Sequence, residues 1–480
     1  MKTRFLPVLL LGILLQSVTG AAGLKLADPF GDAMVLQRDA ALPIWGTATP
    51  GAEVTVEFAG QRKATLADKT GQWKLTLDAL PASAQGRTFS ASSLEETITL
   101  ADVLVGEVWL CSGQSNMEWG ILYNNSVYRG AEEVAAANFP QIRLRASAKV
   151  TASTPQTTFA GSPWKICSPE NLRNIGRGGF SAVGYLFGKE LHTALNVPVG
   201  LIQSAWGGTR IEPWTPAESF KKFPRLEKFA ASPKPSKDGK LPRSNSGAPS
   251  NLYNAMIHPL VPYAICGAIW YQGESNLGQQ DFAEKMQALV QGWRTAWNQG
   301  DFPFYYVQLA PFYYKKGNDQ LLPLSWEQQT LALAIPNTGM AIINDIGNVR
   351  DIHPGDKHGV ASRLARLALS RTYGKKFADD SGPIFKSARA DIPRRTVIVE
   401  FHHTNSGLMS RDGKPLSHFE VAGQDGIYHP AKAVIVGSTV EATCEELTSP
   451  RHIRFAWKED AEPNLMNGEK LPAGAFRSQK

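Results

Sequence analysis

From Val103 to about residue 375 the chain alternates short, almost wholly apolar runs with longer amphipathic stretches. An apolar run without polar alternation must be buried on both faces, and such a strand belongs to a parallel sheet covered by helices. VLVGEVWLCSG, VPVGLIQSA, ICGAIWYQGES, FPFYYVQLA and MAIIND are the predicted strands. Between the third and fourth, Phe282, Met286, Leu289, Val290, Trp293 and Trp297 recur at helical spacing, so QDFAEKMQALVQGWRTAWNQ is a helix whose aromatic stripe is core. SAVGYLFGKELHTAL and GDKHGVASRLARLALSRTYG supply two more, the second with Val360, Leu364 and Leu367 in register. The pattern predicts a three-layer α/β domain, a parallel sheet between helices, over residues 105–375.

The flanks have a different texture. Residues 24–104 are short strands with period-two alternation, as in Val54, Val56 and Phe58, punctuated by Gly and Pro, and they predict an antiparallel β-sandwich. Residues 376–480 return to strand and turn through RTVIVEF, HFEVAG, KAVIVGSTVEA and HIRFAWKED, a second β region. A chain of 480 residues exceeds what one hydrophobic core organises, which agrees with this division. Residues 218–250 hold eight Lys and Arg against three acidic residues among Pro, Ser and Gly, and read as a long solvated loop.

The first 23 residues carry a basic start, an apolar run from Phe5 to Leu15 and small residues from Gly20 to Gly23, the three parts of a secretory signal. The apolar run is too short to span a bilayer, so the mature chain is expected to be exported, periplasmic or extracellular, without a membrane anchor. Fifty Lys and Arg against 43 Asp and Glu give +7, and removal of Lys2 and Arg4 leaves 7 − 2 = +5, too weak an excess to argue for nucleic acid. Cys111, Cys167, Cys266 and Cys444 have no CxxC spacing, so no metal site is legible, and buried free thiols are expected.

Ligands of open α/β sheets bind beyond the carboxyl ends of the strands. Gly113-Gln114-Ser115-Asn116-Met117 follows the first such strand and displays Ser115 there as a candidate nucleophile. A hydroxyl needs a base, and of the nine His only His353 falls in a polar loop between a predicted strand and a helix. Asp351 lies two residues before it, near enough in sequence to orient an imidazole. Oxyanion donors are offered by two further strand ends. Gly207 and Gly208 give bare backbone N–H groups, and Gln272 or Asn276 a carboxamide. A serine in such a turn is, by itself, more often a turn residue than a nucleophile. An imidazole base also sets an acid limit, expected near pH 6 for an ordinary histidine.

GQSNM, WGGTRIEPW, WYQGESN and DIHP, in that order, resemble the sialate O-acetylesterase family of SGNH-type (GDSL-like) serine esterases. PFGDAMVLQRDAALPIWGTATPG and FAWKEDAEPNLMNGEKLPAGAFR are similar to the flanking β segments of its exported bacterial members. The resemblance implies a flavodoxin-like catalytic domain between β regions, no cofactor, and hydrolysis of acetyl esters on sugars. It implies Ser115 as nucleophile, His353 as base, and Gly208 ahead of Gly207 as oxyanion donor beside the Ser115 N–H. In the third block Gln272 is the first choice and Asn276 the second, because the broader superfamily uses an Asn in a different setting. That superfamily places its acid three residues before the His, where this chain has Arg350, so both Asp351 and a Ser–His dyad stay open. Glu274 reads as structural, paired with a nearby Arg.

Two rival readings remain at this level: an esterase of acetylated xylan or another polysaccharide, and a glycan-binding protein without turnover. The resemblance makes a sialic acid, which carries a carboxylate, the leading substrate, and Arg210 is the candidate to bind it because a guanidinium grips a carboxylate with two parallel hydrogen bonds. The alternative for Arg210 is a structural pairing with Glu212 or Glu274.

Overall fold

The computed structural model describes residues 23–231, 245–314 and 317–479. The expected signal segment lies outside the described residues, apart from Gly23, as does the middle of the basic stretch. The molecule is a mixed α/β protein with one large mixed sheet and further β-rich regions at either end of the chain.

The elements that build the site are numbered here in chain order: β1 (Glu96–Gly113), α1 (Ser115–Glu118), β2 (Phe139–Ala146), β3 (Lys165–Cys167), α2 (Ala182–Leu195), β4 (Val199–Ala205), β5 (Gly267–Tyr271), α3 (Phe282–Trp297), β6 (Phe304–Val307), β7 (Thr338–Ala341) and α4 (Lys357–Arg371). Across the sheet they run β3-β2-β4-β1-β5-β6-β7, parallel except for the antiparallel edge β3. The five strands predicted from apolar runs are all present. β2 and the three-residue edge strand β3 are the two they missed, and in β2 Arg143 and Arg145 interrupt the apolar run. Both arginines are buried and donate to backbone carbonyls of the N-terminal region, Arg143 to Ala33 and Arg145 to Pro29 and Asp28, while Arg143 also donates to Pro140 within β2.

Side chains alternate between two cores along each central strand. Val108 and Leu110 of β1 and Trp270 of β5 face the core that holds Met286, Leu289 and Trp293 of α3. Trp109 and Cys111 of β1 and Ile269 of β5 face the core that holds Val183 and Leu191 of α2 and Val360 and Leu364 of α4. Burying about 100 Å² of apolar surface is worth roughly 2.5 kcal/mol, so these two aromatic-rich faces dominate what holds the sheet.

β1 is 18 residues long and runs through the position where the N-terminal β region was expected to end. Its first half pairs with Ser83–Ser93 and, in parallel, with Val35–Gln37, and its second half is the centre of the parallel sheet. The two regions therefore share a strand. The other N-terminal sheet, Lys25–Leu26, Leu42–Thr47 and Gln72–Leu77, contributes Ile44, Trp73 and Leu77 to the same core as Val54, Val56 and Phe89. At the other end, two four-stranded antiparallel sheets close over a third core that also takes Leu309, Leu322 and Trp326. Arg477 clamps Glu327 with two hydrogen bonds of 2.9 and 2.8 Å.

The stretch expected to be a long loop is partly folded. Ala217–Phe220 is helical, Pro224–Phe229 is a 3₁₀ segment, and Phe220 and Leu226 bury against Ala288 of α3. Two apolar anchors in a charged run were enough to order its first part. All four cysteines are free thiols, Cys111 and Cys167 buried, and burial pushes the Cys167 thiol up to about 12. No helix among the described residues is long and apolar enough to cross a membrane.

Candidate active site

After β1 the chain goes out to β2 and returns through β4 on one side before crossing to β5 on the other, so the order reverses at β1. A crevice opens at such a point, beyond the carboxyl end of the central strand. Gly113 ends β1 with φ +139°, and a Cβ there would lie 2.2 Å from the Tyr271 carbonyl oxygen. Only glycine permits that approach of the two strands. The turn it makes puts Ser115 at the first position of α1, where the backbone N–H has no intrahelical acceptor.

His353 arrives from the loop between β7 and α4. Its Nε2 is 2.9 Å from the Ser115 Oγ, hydrogen-bonding distance for a hydroxyl and a base. The ring lies flat against Trp119, with centroids 3.8 Å apart and planes 20° from parallel. Trp119 in turn packs on Tyr123, and the Arg177 guanidinium lies 4.7 Å from the centre of that ring. Burial and the nearby Lys357 ammonium hold the imidazole down to about 4, with Asp351 pulling weakly the other way. The ring therefore lies below the value of an ordinary histidine.

Asp351 is close but not hydrogen-bonded to the ring. Its Oδ1 accepts the His353 backbone N–H at 2.9 Å and lies 3.9 Å from Nδ1. Half-exposed, it shapes the turn that presents the histidine and contributes charge at a distance.

The two glycines after β4 differ sharply. Gly207 donates its N–H to Glu118 Oε2, and a Cβ there would lie 3.2 Å from the Ser115 Cβ, so it packs closely against Ser115. Glu118 is held in place by Lys149. Gly208 is exposed, has φ +76°, has open space on its Cβ side, and its N–H has no partner among the described residues. It is the free donor of the pair.

The carboxamides of the third block, Gln272 and Asn276, expected as oxyanion donors, are hydrogen-bonded within the protein. Gln272 Nε2 donates to the Thr209 carbonyl at 3.2 Å and to Asn276 Oδ1 at 2.7 Å. Asn276 Nδ2 donates to Glu212 Oε2 at 3.0 Å and Gln279 Oε1 at 2.9 Å, while its Oδ1 also accepts from Ile211 N–H. Both amide hydrogens of each are spent inside a buried network that continues to Lys285, 2.8 Å from Glu212 and 2.9 Å from Asp281. The pair fastens the turn after β5 to the turn that carries Gly208. A motif alone gives the residue type at a strand end but not which way its amide points.

Arg210 is exposed and has no partner among the described residues. Glu212 is taken by Lys285, and Glu274 bonds Asn116 at 2.7 Å, so neither structural pairing considered for Arg210 forms. Glu274 does not pair with an arginine either. Sequence reasoning also missed Trp119 and Lys357, though each lies four residues beyond a residue it singled out, Ser115 and His353.

Residues 105–361 match the carbohydrate esterase family described as sialic acid-specific acetylesterase. Sialate O-acetylesterase of Pongo abelii is 34% identical over 419 residues, 79% of this chain and 77% of that one, and the human protein of the same name is 33% identical over the same length. Among solved structures, a carbohydrate acetylesterase from Xanthomonas citri is 37% identical, superposes with a TM-score of 0.84, and is aligned over 95% of this chain and 99% of that chain.

Proposed function

Because this chain belongs to the sialic acid-specific acetylesterase family of carbohydrate esterases, we propose that it removes acetyl groups from sugar hydroxyls by acyl transfer to Ser115. It is a carbohydrate O-acetylesterase, an ester hydrolase. The observation that carries the mechanism is the 2.9 Å contact between Ser115 Oγ and His353 Nε2 at the crevice of the central strand.

In this reading His353 Nε2 takes the hydroxyl proton as Ser115 Oγ attacks the acetyl carbonyl. The oxyanion forms against two backbone donors, the N–H of Ser115 and that of Gly208, each worth about 2.7–4 kcal/mol if it behaves like a single oxyanion-hole donor. The imidazolium returns its proton to the departing sugar oxygen, and water, deprotonated by the same ring, then releases acetate. Trp119 and the backbone of the base loop hold the ring in place. Asp351 offers the imidazolium a carboxylate at ion-pair distance, so the arrangement works as a Ser–His dyad with a loosely attached acid.

The substrate class follows from family and charge. We assign an acetylated sialic acid as the leading substrate, with its carboxylate on Arg210, the exposed guanidinium beside the Gly208 turn that has no partner among the described residues. We also propose that the alternation of parallel strands and covering helices is the three-layer, flavodoxin-like SGNH arrangement, and that the chain is exported after loss of residues 1–23. The test of function is release of acetate from O-acetylated sialic acid, from an uncharged acetylated sugar and from acetyl-xylan, with Ser115→Ala as blank. Turnover that survives in the blank refutes the nucleophile, and turnover of acetyl-xylan alone refutes the substrate.

A further inference from the structure

Asn116 stands next to the nucleophile and almost wholly out of solvent, and its carboxamide is fully engaged. Nδ2 donates to the Ile352 carbonyl at 3.0 Å, in the residue just before the base, and to Glu274 Oε1 at 2.7 Å. Oδ1 accepts from Lys357 Nζ at 2.6 Å. Turned the other way, the amide would set its NH₂ against an ammonium and its oxygen against a carboxylate and a carbonyl, so only one orientation is open to it.

Lys357 is costly where it is. It is buried, it is the first residue of α4, where the helix dipole disfavours a cation, and its ammonium lies 5.6 Å from the Tyr271 ring. Burial pushes it down to about 7 and pulls the Glu274 carboxyl up. Glu274 Oε2 is shielded from water and has no hydrogen-bond partner among the described residues. Replacement of such a buried pair by apolar residues is often neutral or stabilising, so stability does not account for it.

We infer that Asn116 is a positioning residue: its carboxamide ties the turn that carries Ser115 to the loop that carries His353, in the single orientation that Lys357 and Glu274 enforce. The inference rests on the Ser115 and His353 assignment proposed above. Three backbone and side-chain anchors then fix the base: the Ile352 carbonyl on Asn116, the His353 N–H on Asp351, and the ring on Trp119. Lys357 has a second effect through charge. The charged and titratable groups around the imidazole are Asp351, Asp356 and Lys357 from its own loop and helix, and Glu274 from the turn after β5, with Ser115 and Trp119 completing the enclosure. Of these Lys357 is the cation, and it favours the neutral ring that can accept a proton.

The test uses the full chain and four variants, Asn116→Asp, Asn116→Ala, Lys357→Met and Ser115→Ala, with kcat and KM for acetate release from an O-acetylated sugar between pH 3.5 and 8 and Tm measured alongside. Asn116→Asp has the same size but loses both amide hydrogens, and should lower kcat about 100-fold with KM within about threefold, the signature of a misplaced reacting pair. Lys357→Met should raise the acid limb of kcat/KM by more than about half a pH unit. A purely packing role would lower Tm and leave both the limb and kcat in place. The inference is overturned if Asn116→Asp keeps kcat within about threefold of wild type, or if the Lys357→Met limb coincides with that of wild type. Where Asn116→Ala fails to fold, the isosteric Asp variant and the Met variant still decide. Activity in Ser115→Ala removes the underlying assignment, whereas a silent Ser115→Ala beside a wild-type-like Asn116→Asp removes this inference alone.

Discussion

Lowering the pH should leave this esterase active well below the range in which an ordinary histidine base fails. The perturbation acts on one atom, His353 Nε2, which in the proposed mechanism must be unprotonated to take the Ser115 proton. Burial is the largest influence on that ring, the Lys357 charge adds to it, Asp351 opposes both, and the result is an imidazole lowered from 6.5 to about 4. At pH 5.5 an imidazole at 6.5 is about 9% neutral, and one at about 4 is about 97% neutral, so the rates expected from the two cases differ about tenfold. The assay is initial acetate release at substrate concentrations below KM, from pH 3.5 to 8, because kcat/KM reports the free enzyme. Folding must be followed on the same samples. A base whose folded value lies below its unfolded one binds more protons when unfolded, so stability declines as pH falls from about 6.5 to about 4 and levels off below that. An acid limb with its midpoint between pH 6 and 7, in protein that is still folded, would refute the reading that this buried, cation-flanked ring is the base.

Ser115→Ala should lower kcat by at least about 1000-fold with Tm unchanged, and His353→Ala should be nearly as severe, since the two act as a unit. Asp351→Asn keeps the oxygen that accepts the His353 N–H and removes only a charge 3.9 Å from the ring, so a loss of about tenfold or less in kcat is expected, and a loss beyond about 1000-fold would restore it as a full triad member. Gly113→Ala places a methyl 2.2 Å from a backbone oxygen at φ +139° and should destabilise by more than about 3 kcal/mol in urea unfolding, a far larger effect than the same change at the open, exposed Gly374. Arg210→Met should reduce kcat/KM about tenfold or more on an acetylated sialic acid and leave an uncharged acetylated sugar unaffected, and equal losses on both would leave the residue without a carboxylate to bind.

The sheet was legible because its strands are buried on both faces. Five apolar runs named five strands, and the six periodic positions from Phe282 to Trp297 named α3, in which all six side chains are buried. Besides the three-residue edge strand β3, β2 escaped, and for a physical reason. Arg143 and Arg145 lie inside it because backbone carbonyls from the N-terminal region accept their guanidinium hydrogens, and no local pattern announces an acceptor more than 100 residues away. The shared strand β1 hid in the same way. A boundary drawn where composition changes cannot reveal that one strand belongs to both sides of it.

The same division runs through the site. Residues whose roles follow from chain direction and a strand end, Ser115 and His353, are brought together as the motifs imply. Those whose roles depend on where a side chain's hydrogens point are not predictable from a motif, because an amide has two ends and the neighbours decide between them. Gln272 and Asn276 spend their donors on Thr209, Glu212 and Gln279, inside the protein. Asn116, next to Ser115 and unremarked in the sequence, spends its own on Ile352 and Glu274, between the Ser115 turn and the His353 loop. What separates these three carboxamides is the charge each one meets. Lys285 balances Glu212, whereas Lys357, beside Glu274, holds the Asn116 amide and adds to the burial that lowers the His353 imidazole, so in the mechanism proposed here one cation would serve both the amide and the base.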